Sequence, residues 1–228
     1  MKPKLEVEPK IETSDDWKYC EGVLPLVSRT FALNIAQLEG DIYLAVLLGY
    51  LFFRIADTFE DNVFQNETQK IEALHDYARI FEGDKALDVR LTLYESLRFK
   101  WEENSPEKNL VENGSKVIRC YFDLPQTYRK IIDARIAQTS ECMAMFQRRK
   151  QQSNLKVFQL RDIPDLEAYC YCVAGVVGEM LTGIFCQHPD LSPVRAELEK
   201  YQTKFGLALQ VTNIAKDYEK DVASGWCY

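Results

Sequence analysis

Two short stripes of polar residues carry the most chemistry in this chain. Tyr50, Arg54, Asp57 and Asp61 fall at offsets of 0, 4, 7 and 11, one face of a helix, with Glu60 beside them. Gln210, Asn213, Asp217 and Asp221 fall at offsets of 0, 3, 7 and 11, again one face. Each stripe ends in two aspartates four residues apart, in D-T-F-E-D and D-Y-E-K-D. Such pairs repel, and on an isolated helix the repulsion costs a few tenths of a kcal/mol. Hard divalent cations bind oxygen pairs of this kind, and Mg²⁺ takes one or two carboxylates together with waters and substrate phosphates. Two facing stripes would wall a cavity able to hold Mg²⁺ and a diphosphate, with Arg54 adding a charge-assisted contact to phosphate oxygens. Spacing alone leaves a plainer reading open, in which both stripes are solvated helix ends. Lys216 and Lys220 favour it for the second stripe. An apolar helix around Arg54 disfavours it for the first.

The elements that must carry these stripes read as helices. Residues 1–13 are charged and aperiodic, which predicts a flexible N-terminal tail before a single domain over 14–228. Helices are expected over about 15–26, 31–38, 42–62, 68–81, 84–101, 115–147 with a bend near Pro125, 164–186 and 192–221, roughly eight in all. The span 102–114 reads as a loop, and 148–161 as polar and weakly patterned. No convincing strand is visible, so the fold class is all-α. The twelve-residue apolar run 42–53 is too short to cross a bilayer and suits a core helix.

Composition narrows the functions. The 228-residue chain is 46% hydrophobic and 28% charged, which excludes wholesale disorder. Its net charge of −7 argues against nucleic-acid binding. Two His leave no His-rich metal site. The seven Cys are odd in number and lack a CxxC, and they read as reduced thiols of a cytoplasmic protein. Cys170 and Cys172 have no nearby companions to make a metal site. Arg148, Arg149 and Lys150 read as a solvated basic loop, with a membrane-surface patch as the alternative. Glu179 reads either as a cavity carboxylate or as a salt-bridged core partner. The small-residue runs 174–178 and 206–208 admit either room for a long lipid chain or close helix packing.

Four segments together resemble one family. They are V-S-R-T-F-A-L at 27–33, Y-L-F-F-R-I-A-D-T-F-E-D at 50–61, Y-C-Y-C-V-A-G-V-V-G-E at 169–179 and F-G-L-A-L-Q-V-T-N-I-A-K-D-Y-E-K-D at 205–221. In this order and spacing they resemble the squalene and phytoene synthases, the head-to-head prenyl diphosphate synthases, from about residue 17 onward. The resemblance implies an isoprenoid-synthase-type helical bundle around a central cavity. It implies that Asp57, Glu60, Asp61, Asp217 and Asp221 are metal ligands for Mg²⁺. It places Ser28, Arg29, Phe31, Gln210, Asn213 and Lys216 at substrate, and Tyr50, Arg54, Tyr169 and Tyr171 in the chemistry.

The implied reaction is 1–1′ condensation of two farnesyl diphosphates through presqualene diphosphate to squalene or dehydrosqualene, with NADPH used by reducing members. The alternatives are a phytoene synthase acting on geranylgeranyl diphosphate and a non-catalytic relative acting as an assembly factor. Lipid-like substrates fit transient contact of a cytoplasmic protein with a membrane surface. Two residues depart from the family pattern: Cys172 stands where squalene synthases carry Tyr, and Lys216 where the family commonly has Arg. The family's C-terminal helices are expected to be missing from this chain.

Overall fold

The computed structural model describes residues 14–28, 30–61, 66–97 and 104–228. The expected tail and Arg29 lie outside the described residues. Helix α1 (Asp15–Val27) starts where the Ser14 hydroxyl accepts the Trp17 N–H, with Asp15 and Asp16 in the first turn. The short α2 (Thr30–Ile35) follows. Helix α3 (Gly40–Asp61) is the centre of the molecule. Ala45, Leu47, Leu48, Leu51, Ile55, Ala56 and Phe59 are fully buried along it. The helix expected over 42–62 is thus present with its start two residues earlier; at 22 residues it is long and apolar enough to cross a bilayer, but 67% of its apolar window is buried inside the protein.

Helix α4 (Glu67–Phe81) packs beside it, and α5 (Leu87–Ser96) packs on α4. Tyr77 donates to the Phe52 carbonyl at 3.0 Å, so a fully buried phenol keeps a partner. The expected loop at 102–114 instead carries α6 (Pro106–Glu112). The Ser105 hydroxyl caps it and Pro106 occupies its first turn, a local signal that the polar composition hides.

The break near Pro125 falls where expected, between α7 (Gly114–Phe122) and α8 (Gln126–Ser153). Helix α8 runs through Arg148, Arg149 and Lys150 and ends at Asn154, whose φ is 51°. The basic run is therefore not a loop. Arg148 meets His75 at 2.7 Å, Arg149 grips Asp165 with both nitrogens, and Lys150 lies over the Trp226 ring.

The helix expected over 164–186 is α9 (Ile163–Cys170), one π-helical turn at Tyr171–Gly175, and α10 (Val176–Phe185). A 3₁₀ turn at Ser192–Val194 leads into α11 (Arg195–Ala223). Two two-residue strands, β1 (Phe158–Gln159) and β2 (Trp226–Cys227), pair in parallel and correct the expectation of no strand. They tie the end of α11 to the segment after α8.

The small-residue runs resolve as close packing. A Cβ on Gly178 would meet the Gln202 carbonyl oxygen and one on Gly206 the Ala174 carbonyl oxygen, both far inside contact distance. Helix α11 thus rests backbone to backbone on the π turn and α10. A second correction concerns the cysteines. Cys142 of α8 is disulfide-bonded to Cys172 of the π turn, so these two are not reduced thiols. The residue that departs from the family pattern at 172 is thereby used to tie two elements together.

Candidate active site

Arg54 and the three acids after it leave the apolar interior at the C-terminal end of α3. Arg54 binds Glu107 of α6 at 2.9 Å and lies 3.9 Å from Asp57. Its Nε is buried without a partner, which leaves donor capacity unused. Asp57 shows 41% of its side chain to solvent although much protein surrounds it. Loss of hydration, then repulsion from Asp61, push its carboxyl up to about 7 against the pull of Arg54. Burial, then Asp61 and Asp57, push Glu60 up to about 8, although Gln147 donates to it at 3.1 Å. Asp61 is also raised by desolvation, opposed by Arg54, Lys70 and Lys220.

The last turns of α11 face this group. Asp221 is raised by burial, by Asp217 and also by Asp61, while Lys220 of α11 acts on Asp61. The ends of the two stripes therefore share one electrostatic environment although 160 positions separate Asp61 from Asp221. Gln210 and Asp217 are half-buried, whereas Asn213 and Lys216 are exposed.

Midway along α3, Tyr50 donates to the Val27 carbonyl at 3.3 Å and its ring lies 5.8 Å from that of Phe31. The Ser28 hydroxyl accepts the Phe31 N–H at 3.2 Å and fixes the entry into α2. Ser28, Phe31 and Tyr50 thus form one corner, one helical turn from Arg54.

Tyr169 at the end of α9 and Tyr171 at the start of the π turn part company. Tyr169 is buried beside Phe146, and its hydroxyl meets that of Tyr228 at 3.0 Å. The charges of Glu60 and Asp61 reach it. Tyr171 instead donates to Glu179 at 3.1 Å and accepts from Gln138 at 3.0 Å. Glu179 is paired with Arg135 at 2.7 Å, which makes it the salt-bridged partner of the two readings.

Glu107, Gln147 and Tyr228 escape sequence reasoning. Each contacts a stripe or motif residue from at least 53 positions away, and none sits in a motif.

Among the described residues, no three His, Cys, Asp or Glu side chains form a ready ligand group. The donor set still fits Mg²⁺. It is all carboxylate oxygen, it repels itself, and Mg²⁺ ordinarily completes its shell with water and phosphate rather than a protein cage. Asp57, Glu60 and Asp61 on one side and Asp217 and Asp221 on the other are the residues that would hold it.

An all-helical bundle with acidic pairs facing one another defines the class, and comparison supplies the family. The squalene/phytoene synthase profile matches residues 24–228, and the chain belongs to that family of prenyltransferases. It is 30% identical over 202 residues to the squalene synthase of Schizosaccharomyces pombe, covering 89% of this chain and 41% of the relative. It is 30% identical over 222 residues to the squalene synthase of Dictyostelium discoideum, covering 97% and 48%. The solved structure of TcSQS with the ligand E5700 superposes with a TM-score of 0.74 at 25% identity, covering 92% of this chain and 55% of that one. The chain thus spans about half the length of the relatives it matches. The family binds prenyl diphosphates and is typically Mg-dependent.

Proposed function

We propose that this protein condenses two farnesyl diphosphates head to head, through presqualene diphosphate, to squalene or dehydrosqualene. One observation carries the reading. Asp57, Glu60 and Asp61 crowd together, with Arg54 the cation beside Asp57 and Lys70 and Lys220 acting further along, and Asp221 of α11 adds its charge to theirs. A diphosphate with its Mg²⁺ would supply the missing positive charge and use the free donor capacity of Arg54.

Magnesium, when bound, supplies Lewis-acid stabilisation of the leaving diphosphate. The chain's own residues do the rest. Arg54, held by Glu107, grips phosphate oxygens. Phe31 and Tyr50 wall one end, keep water from the allylic cation and offer it aromatic faces. Tyr169 presents its hydroxyl from beside Phe146 and Tyr228, where proton loss forms the cyclopropyl ring. Gln210 and Asn213 lie on the same helical face as the second acidic pair and orient the second diphosphate.

The test is a product assay on the full-length protein with farnesyl diphosphate and Mg²⁺, with and without NADPH, read by mass spectrometry. Squalene formed only with NADPH supports the reading in its reductive form. Dehydrosqualene formed regardless of NADPH supports the non-reductive form. A C40 product made only from geranylgeranyl diphosphate would replace the substrate. No condensation of either substrate would overturn the enzyme reading.

A further inference from the structure

The segment after α11 is held by several independent contacts. Gly225 turns the backbone with φ of +84°, a conformation that other residues reach at a cost. Phe158 then donates to the Gly225 carbonyl at 3.0 Å and Leu160 to the Cys227 carbonyl at 3.1 Å. Trp226 meets the Phe158 ring edge-on at 5.3 Å and carries the Lys150 ammonium over its face. These contacts leave Tyr228 one place to go. Its ring stacks on Trp226 at 5.4 Å and on Tyr169 at 4.6 Å, and the two phenol oxygens lie 3.0 Å apart.

Tyr169 is 4% exposed, and a phenol buried that deeply costs free energy unless its hydroxyl is bonded. The pair also lies where both acidic stripes converge. Glu60 and Asp61 act on Tyr169, and Glu60, Asp221 and Asp61 act on Tyr228.

We propose that Tyr228 is a positioning residue of the condensation, whose hydroxyl aims that of Tyr169 at the reacting carbons. The inference rests on the prenyltransferase reading above and on Tyr169 acting in it. The stack fixes the plane of the Tyr169 ring, and the hydrogen bond fixes the rotation of its O–H, which a ring stack cannot do. Tyr228 touches no reacting atom itself, so its removal changes the turnover step and leaves substrate binding alone.

Three variants of the full-length protein test it: Tyr228→Phe, Tyr169→Phe and the double variant. Release of diphosphate from farnesyl diphosphate is measured, with thermal unfolding as the control for folding. Tyr228→Phe keeps the stack, so its Tm stays with the parent. Its kcat falls roughly tenfold at unchanged KM, about the worth of one oriented hydrogen bond. The double variant is no slower than Tyr169→Phe, because the second hydroxyl acts only through the first. Parent-like or higher kcat in a folded Tyr228→Phe overturns the proposal, as do losses that multiply in the double variant. Either result leaves the prenyltransferase reading intact, since the parent still turns over. A parent that releases no diphosphate from C15 or C20 substrates overturns both.

Discussion

Two regions of this molecule partner their carboxylates in opposite ways. Around Arg90, the acid is matched. Arg90 is 2% exposed, grips both oxygens of Asp133 at 2.7 and 2.8 Å, and lies among the rings of Phe81, Tyr121 and Phe122. Asp165 is matched likewise by Arg149 and Arg161, and the Arg149 hydrogen bonds hold its carboxyl well below the usual range. At the end of α3, Asp57, Glu60 and Asp61 crowd one another, and both Asp57 and Glu60 are driven upward. A buried pair with its own cation is complete and asks for no ligand. A group of acids short of cations is complete only with something positive bound, so the charge imbalance marks the site and the balanced pairs mark the frame.

The largest effect expected from this contrast is in the frame. Asp133→Ala strands a buried guanidinium and costs about 3–5 kcal/mol in denaturant unfolding. A loss below about 1 kcal/mol would show that solvent reaches Arg90 and that the frame is not closed.

The next effect is at Asp165. Its carboxyl is lowered from an ordinary value of 3.8, so the folded state favours the ionised form. Its contribution is present above that value and is lost as pH falls below it. Asp165→Asn therefore costs about 1.5–3 kcal/mol near neutrality and flattens the acid limb of Tm against pH. An unchanged acid limb would refute the pairing as a stabilising one.

The smallest effect is in the site and has the opposite sign. Asp57→Asn relieves like-charge repulsion and stabilises the metal-free protein by a few tenths of a kcal/mol. Mg²⁺ raises the Tm of the parent by binding the folded form and raises that of the variant less. Destabilisation by Asp57→Asn without metal would mean that the acids are already compensated, and the contrast between the two regions would collapse.

Much of the site was legible because helical spacing is local. Tyr50, Arg54, Asp57 and Asp61 share a face by the geometry of one helix, whatever surrounds it. The division of Tyr169 from Tyr171 was not legible. Two residues apart on a regular helix, they already point in different directions, but which one meets the acids depends on what packs there. The helix α6 was hidden because its capping serine and Pro106 sit in a polar stretch that reads as loop. The Cys142–Cys172 bond was hidden because it joins α8 to the π turn, and spacing carries no record of such proximity.

The amino-acid order alone settles most of the helices, the two acidic faces and the family, since each depends on periodicity or motif within a short stretch. The folded chain settles which acids have partners. Glu107 reaches Arg54, Gln147 reaches Glu60 and Tyr228 reaches Tyr169 across 53 to 87 positions. Charge and burial act through space rather than along the chain, so whether an aspartate is satisfied or waiting for a cation is a property of its neighbours in three dimensions.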